Sequence, residues 1–434
     1  MTRRIRTGAV AAALLASLLV PSAAEAAKTG DPGAPGPYRV ASLDYTLGDR
    51  VLQVPGFHVD PEDEALADLE VTGNVHYPTS GRGPFPLVVL SHGYWATCAD
   101  REAVAIKEGR EAVLSDEEIY DDPAWLAAIG RLWQWPCVPG VAPLPSYRGY
   151  DYLAERLAGH GMVVVSVSAN GVNAGQLGEA ADEARAAVIN KHLELWSELT
   201  RTGKGALAGK FRQNFKGMID LTRVGTLGHS RGGRGVAWHA ADVHKGALPK
   251  GVQIKGVIAL AAAGAGTATN EGSPDAPLYR VTTAPLAVWL GGCDMDQGED
   301  YLTLAKGHTR FPNYRWTVGG ANHNFLNTQW SPASGQVEAE DDGVGPEPGT
   351  CGDQVWDYPD GWDPEDPSSP QPTMHWENVV HKLTEDEEHR VLTGYATAFF
   401  LETLRGDRRH AAVLDGSSRP YQAFTTVVAD RITP

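Results

Sequence analysis

The chain has 434 residues, 42% of them hydrophobic and 21% charged, with a formal net charge of −17. That length supports a large buried core and exceeds one average domain. The acidic balance argues against nucleic acid or anionic membrane as partner.

Arg3, Arg4 and Arg6 precede an apolar run from Gly8 to Val20, followed by Ala24, Glu25 and Ala26 around a cleavage site. Residues 1–27 read as a secretory signal peptide, too short for a membrane anchor. The Arg3–Arg4 pair hints at twin-arginine export, with the general secretory route equally open. Without this segment the formal charge is −19. No later stretch is long and apolar enough to cross a bilayer, so the expectation is a secreted, extracellular protein with no membrane anchoring. Four cysteines suit two disulfides in an oxidising compartment. Of the three possible pairings, Cys98–Cys137 with Cys293–Cys351 is preferred, because each pair staples one long insertion.

Residues 28–37, KTGDPGAPGP, read as a mobile Pro/Gly linker, and 38–434 as a single domain. YRVASLDYTL and LEVTGNVHYP alternate as antiparallel edge strands, with an acidic surface loop between them. PFPLVVLSHG, ending at Gly93, is a continuous apolar strand of a sheet covered on both faces. A helix from Tyr150 to Ala158, the buried strand MVVVSVSAN and a long helix from Glu179 to Leu199 follow. The strand Leu221–Leu227, the strands IKGVIALAAA, PLAVWLGG and YRWTVGG, and a helix from about Glu385 to Leu404 complete the pattern. Strands alternating with helices predict an α/β fold with a mostly parallel sheet flanked on both faces.

Two segments are too long to be ordinary connections. The first, 95–148, interrupts a strand and the helix that should follow it, and carries Trp125, Trp133, Trp135, Tyr147 and a cysteine pair. It reads as a cap or as one wall of an acyl-binding cleft, with a stapled surface insertion as the plainer alternative. The second, 328–372, is an acidic loop. Its Asp341, Asp342, Asp353, Asp357, Asp360 and Asp363 could bind calcium but lack the spacing of a calcium loop, so a solvated loop without metal is the preferred reading.

Between the strand ending at Leu227 and a run of small apolar residues at helical spacing lies Gly228-His229-Ser230-Arg231-Gly232, a G-x-S-x-G sequence. A serine on a sharp strand-to-helix turn exposes its hydroxyl, and the helix start aims free N–H groups at the same point. A serine hydroxyl needs a base, most often a histidine oriented by a buried carboxylate. In open α/β sheets these partners come from loops at the carboxyl ends of later strands. His323 directly follows the last strand. Asp294 and Asp296 both follow PLAVWLGG, and alternation does not separate them; Glu299 and Asp300 are more remote. Oxyanion donors are expected from the amides of Arg231 and Tyr94, with His92 shaping the Tyr94 loop. His239, His244, His308, His375 and His381 are poorly placed for the base.

The segments GNVHYP…PFPLVVLSHGY, YLAERLAGHGMVVVSV, VGTLGHSRGG, PLAVWLGGCDMD, GGANHNF and YATAFFLETLRGD resemble the α/β-hydrolase superfamily. Within it they look like the branch of polyester hydrolases (cutinases and PET hydrolases), dienelactone-hydrolase-like enzymes and platelet-activating-factor acetylhydrolases. The resemblance spans about half of the chain after residue 27. It implies a Ser230–His323–Asp296 triad, since polyester hydrolases carry the acid at the second Asp of a similar run; Asp294 is the second choice. It also implies Tyr94 as an oxyanion donor. The long 95–148 insertion, and AAAGAGTA where those enzymes have a tryptophan, would reshape the cleft, so a more enclosed pocket for a smaller ester stands beside an open polymer groove.

The expected function is a secreted serine hydrolase of small-molecule or polymeric carboxylic esters, working through an acyl-enzyme without a cofactor. The alternatives are a serine peptidase or acyltransferase on the same fold, and, from another class, a non-catalytic binding protein.

Overall fold

The computed structural model describes residues 30–433 except 63, 267–272, 295–297, 338, 340–342, 365 and 367. The signal-peptide reading and the preferred acid, Asp296, lie outside the described residues, as do Asp341 and Asp342.

Strands β1 (Val40–Thr46) and β2 (Thr72–Pro78) pair antiparallel along their length. The apolar β3 (Phe85–Ser91) and β4 (Val163–Val167) are buried at every residue. They are followed by β5 (Ile219–His229), β6 (Ile254–Leu260), β7 (Leu286–Gly291) and β8 (Asn313–Val318). The last strands are β9 (Thr350–Asp357), β10 (Thr373–His381) and β11 (Val427–Ile432). Nine strands form one sheet in the order β1-β2-β4-β3-β5-β6-β7-β8-β11, and β9 and β10 make a separate hairpin. β4, β3, β5, β6, β7 and β8 run parallel, whereas the β1–β2 pair and β11 join antiparallel at the edges.

Helices cover both faces, which is why the inner strands are apolar on both sides. In chain order the longer ones are α1 (Arg101–Glu111), α2 (Pro123–Trp133), α3 (Asp151–Gly159) and α4 (Glu179–Thr202), then α5 (Arg231–Ala240), α6 (Asp300–Ala305) and α7 (Glu385–Arg405). Leu87 and Val89 of β3 pack with the α4 and α5 side chains, and Val88 and Leu90 pack with α3 and α7. Alternate residues of a strand point to opposite faces, so one apolar run feeds two cores. Among the described residues no helix is long and apolar enough to cross a membrane.

The described part of the expected linker is docked on the domain. Tyr421 donates to Asp31 Oδ1 at 2.7 Å, and the His160 ring bonds Ala34 O at 2.9 Å. Gly36 lies so close to Gly159 that a Cβ on it would meet the Gly159 oxygen at 2.0 Å, a contact only glycine allows.

Both disulfides connect the expected partners, Cys98–Cys137 and Cys293–Cys351. The first insertion holds two helices, each with an aspartate cap: Asp100 accepts from Ala103 N at 3.0 Å and Asp122 from Trp125 N at 2.8 Å. Arg131 of α2 grips the buried Asp100 carboxylate, so one aspartate caps α1 and ties it to α2. Ala96, Ala103, Ala128 and Leu132 form a small core of their own, completed by Trp330 and Val337 from the second insertion. That second insertion is more than a loop, because its end folds into the exposed β9–β10 hairpin.

Candidate active site

The carboxyl ends of the parallel strands are in register: Ser91 lies opposite Gly228, His229 opposite Leu260, Leu260 opposite Trp289, and Gly291 opposite Val318. The loops leaving them therefore start at one edge, and Tyr94, Ser230, Asp294 and His323 follow these strand ends.

Ser230 joins β5 directly to α5 with φ 56° and ψ −125°. That conformation costs a non-glycine residue about 1–3 kcal/mol and is held by the surrounding structure. Ser230 N donates to Leu260 O at 3.0 Å, and Ser230 O accepts from Gly233 N at 2.8 Å. The flanking glycines are steric necessities. A Cβ on Gly228 would stand 2.0 Å from Gly232 O, and one on Gly232 would stand 2.5 Å from Ser91 O. Arg231 is the first residue of α5, so its N–H has no acceptor within the helix.

The loop after β3 lies directly against the serine. A Cβ on Gly93 would meet Ser230 Cβ at 2.5 Å and Ser230 Oγ at 3.1 Å. The Gly93 carbonyl accepts from His92 Nδ1 at 2.9 Å and from Asn173 Nδ2 at 3.0 Å. In a trans peptide the next N–H points opposite to that carbonyl, so the Tyr94 amide is turned away from this scaffold. Asn173 Oδ1 in turn accepts from Arg185 at 2.5 Å, and Arg185 also donates to His92 O at 3.2 Å. His92 Nε2 accepts from Ala169 N at 2.8 Å, which leaves the proton on Nδ1. Burial pushes this ring down to about 3, and the neighbouring Arg185 charge adds to the shift, so it stays neutral. His92 is thus a buried loop-former.

β7 ends in a turn in which Asp294 N bonds back to Gly291 O at 3.4 Å. Cys293 N donates to Ala321 O and Gly292 N to Val318 O, each at 2.8 Å, which locks the acid loop to the histidine loop. Gly291 is needed here, since a Cβ would lie 2.6 Å from Ala321 O. Across this seam His323 Nδ1 pairs with Asp294 Oδ1 at 3.0 Å, both side chains almost wholly buried. Asp294, the second-choice acid, is thus a carboxylate paired with His323 among the described residues. Asp296, the first choice, is outside the described residues.

The turn after His323 is held from below by α3 and α7. His389 Nε2 bonds Phe325 O at 2.6 Å and Tyr152 donates to Leu326 O at 2.9 Å, with the two rings stacked at 3.8 Å. His229, next to the serine, lays its ring 4.6 Å from His323 and 5.0 Å from Trp330. Burial first, and then the neighbouring histidines, hold His229 well below its ordinary value, so it adds no competing charge. Sequence reasoning assigned no role to His229, Asn173, Arg185 or Trp330. Arg185 left a trace, being a cation on the apolar side of α4 beside Ala181, Ala184 and Val188.

The remaining histidines lie elsewhere: His239 bonds Asn190, His244 stacks on Trp238, and His375 pairs with Asp357 and Glu377 on the exposed hairpin. Among the described residues no group of three or more His, Cys, Asp or Glu could hold a metal ion.

Fold and site together define a class: a mixed α/β protein whose mostly parallel sheet carries a strained serine and a buried His–Asp pair at its carboxyl edge. No protein-family model matches the chain, and no curated protein matches it either.

Proposed function

We propose that this protein is a secreted serine hydrolase of carboxylic esters. The observation that carries the reading is the strained Ser230 at a strand–helix turn, on the same sheet edge as the buried His323–Asp294 pair. Ser230 Oγ attacks the ester carbonyl while His323 takes its proton and then delivers it to the leaving alcohol. Asp294 holds the Nδ1–H tautomer and stabilises the imidazolium. The Tyr94 and Arg231 amides receive the tetrahedral oxyanion, and water releases the acid from the acyl-enzyme. The resemblance to α/β-hydrolases agrees with this reading, and the two disulfides fit an extracellular location.

The test is hydrolysis of p-nitrophenyl acetate and butyrate beside the matching anilides. Ester turnover that disappears in Ser230→Ala supports the proposal; anilide cleavage without ester cleavage would replace it with a peptidase. Gly93→Ala examines the geometry separately. Its methyl would force Gly93 and Ser230 apart, so kcat/KM is expected to fall about a hundredfold, with the circular dichroism spectrum retained.

A further inference from the structure

The first insertion and residues 335–337 line a partly open cavity of about 300 Å³, with Trp95, Val104, Ile129, Trp133 and Val337 on its apolar side and Arg101, Lys107 and Glu108 on its charged side. Its walls grow out of the active-site loops. Trp95 is two residues beyond Gly93, which packs on Ser230, and Val337 lies on the stretch that follows His323. Trp95 Nε1 donates to Val337 O at 2.8 Å and Arg101 donates to Gly335 O at 2.7 Å, so the two segments close on each other. Two aromatic links lead back to the site. The Tyr94 ring stacks on Trp133 at 4.5 Å, and Trp330, which touches His229, shares a buried cluster with Leu132 and Val337.

Concave apolar sites beside convergent polar groups are the usual seats of small ligands. We infer that the apolar side of this cavity receives the acyl arm of the substrate, a saturated or otherwise apolar chain of medium length; the inference rests on the esterase reading for its chemistry. The Tyr94–Trp133 stack then couples the wall of the acyl cavity to the residue whose amide binds the oxyanion.

The experiment compares p-nitrophenyl esters from acetate to dodecanoate, together with calorimetric titration of decanoate into the intact protein. In the wild type kcat/KM is expected to rise roughly threefold to fourfold per methylene up to about the octanoate ester and then level off. Val104→Trp fills the cavity from α1 and Ile129→Trp fills it from α2, so a failure of one variant to fold leaves the other. Either should lower the octanoate-to-acetate ratio of kcat/KM at least about tenfold and abolish decanoate binding. A flat acyl profile in the wild type, or a profile that both filled variants share with it, overturns the inference while the esterase reading stands. If no ester is cleaved, that reading fails, and the titration decides alone: decanoate bound by the wild type and lost in the filled variants supports the cavity, and any other result overturns it.

Discussion

Asp294→Asn is expected to lower kcat for ester hydrolysis about ten-thousandfold, and Asp296→Asn, measured beside it, tests the first-choice acid. The loss follows from the His323 Nδ1–Asp294 Oδ1 pair at 3.0 Å, closed off from water. A carboxylate there accepts the Nδ1 proton and leaves Nε2 basic for the serine. An amide of the same shape can present its NH₂ instead, which selects the wrong tautomer and cannot stabilise the imidazolium. Because the two side chains are nearly isosteric, the thermal midpoint should barely move while activity collapses. Steady-state kinetics of both variants, with calorimetry as the fold control, checks this. Equal losses in the two variants would mean that Asp296 shares the role.

Acidification is expected to unfold the protein well above the carboxylate range. Burial holds His92 and His192 at about 3 and His239 at about 4, against an ordinary value of 6.5. Once the chain unfolds, these rings take up protons below about pH 6.5 that the folded state refuses. The folded pKa values are depressed, so the stability is fully present above the unfolded pKa and is lost as pH falls towards the folded values. Three extra protons on the unfolded chain give a slope of about 4 kcal/mol per pH unit near pH 5. Glu70 works in the opposite direction, because burial raises its carboxyl, and softens the loss near its own titration. Urea unfolding at 25 °C should therefore show about 5 kcal/mol less stability at pH 5 than at pH 7. A flat profile over that range would show that these rings are solvated or paired in the folded state.

The framework was legible in the sequence because its signals are local. Continuous runs such as PFPLVVL and MVVVSV describe strands buried on both faces, and the structure splits their residues between two cores. The serine was equally legible, since glycine on both sides of it answers a backbone collision rather than a chemical need. The acid was harder. The placing of Asp294 beside His323 depends on a turn held by bonds from Gly292 and Cys293 to residues 318 and 321, a contact between distant segments. The same holds for Asn173 and Arg185, which reach the Gly93 loop across some eighty and ninety residues of chain. The β9–β10 hairpin escaped notice because the polar runs TCGDQVWD and TMHWENVVH lack a buried apolar face; Trp356 and Met374 are exposed. The helices of the first insertion declare themselves only through their caps, Asp100 and the Asp122–Pro123 pair.

The central claim is that Ser230 is an activated nucleophile, and reaction with a fluorophosphonate followed by peptide mapping tests it most directly. One adduct per folded chain is expected, carried by Ser230, absent from Ser230→Ala and formed far more slowly by His323→Ala. An unmodified Ser230 in folded wild-type protein, or an adduct on a different serine, would contradict it.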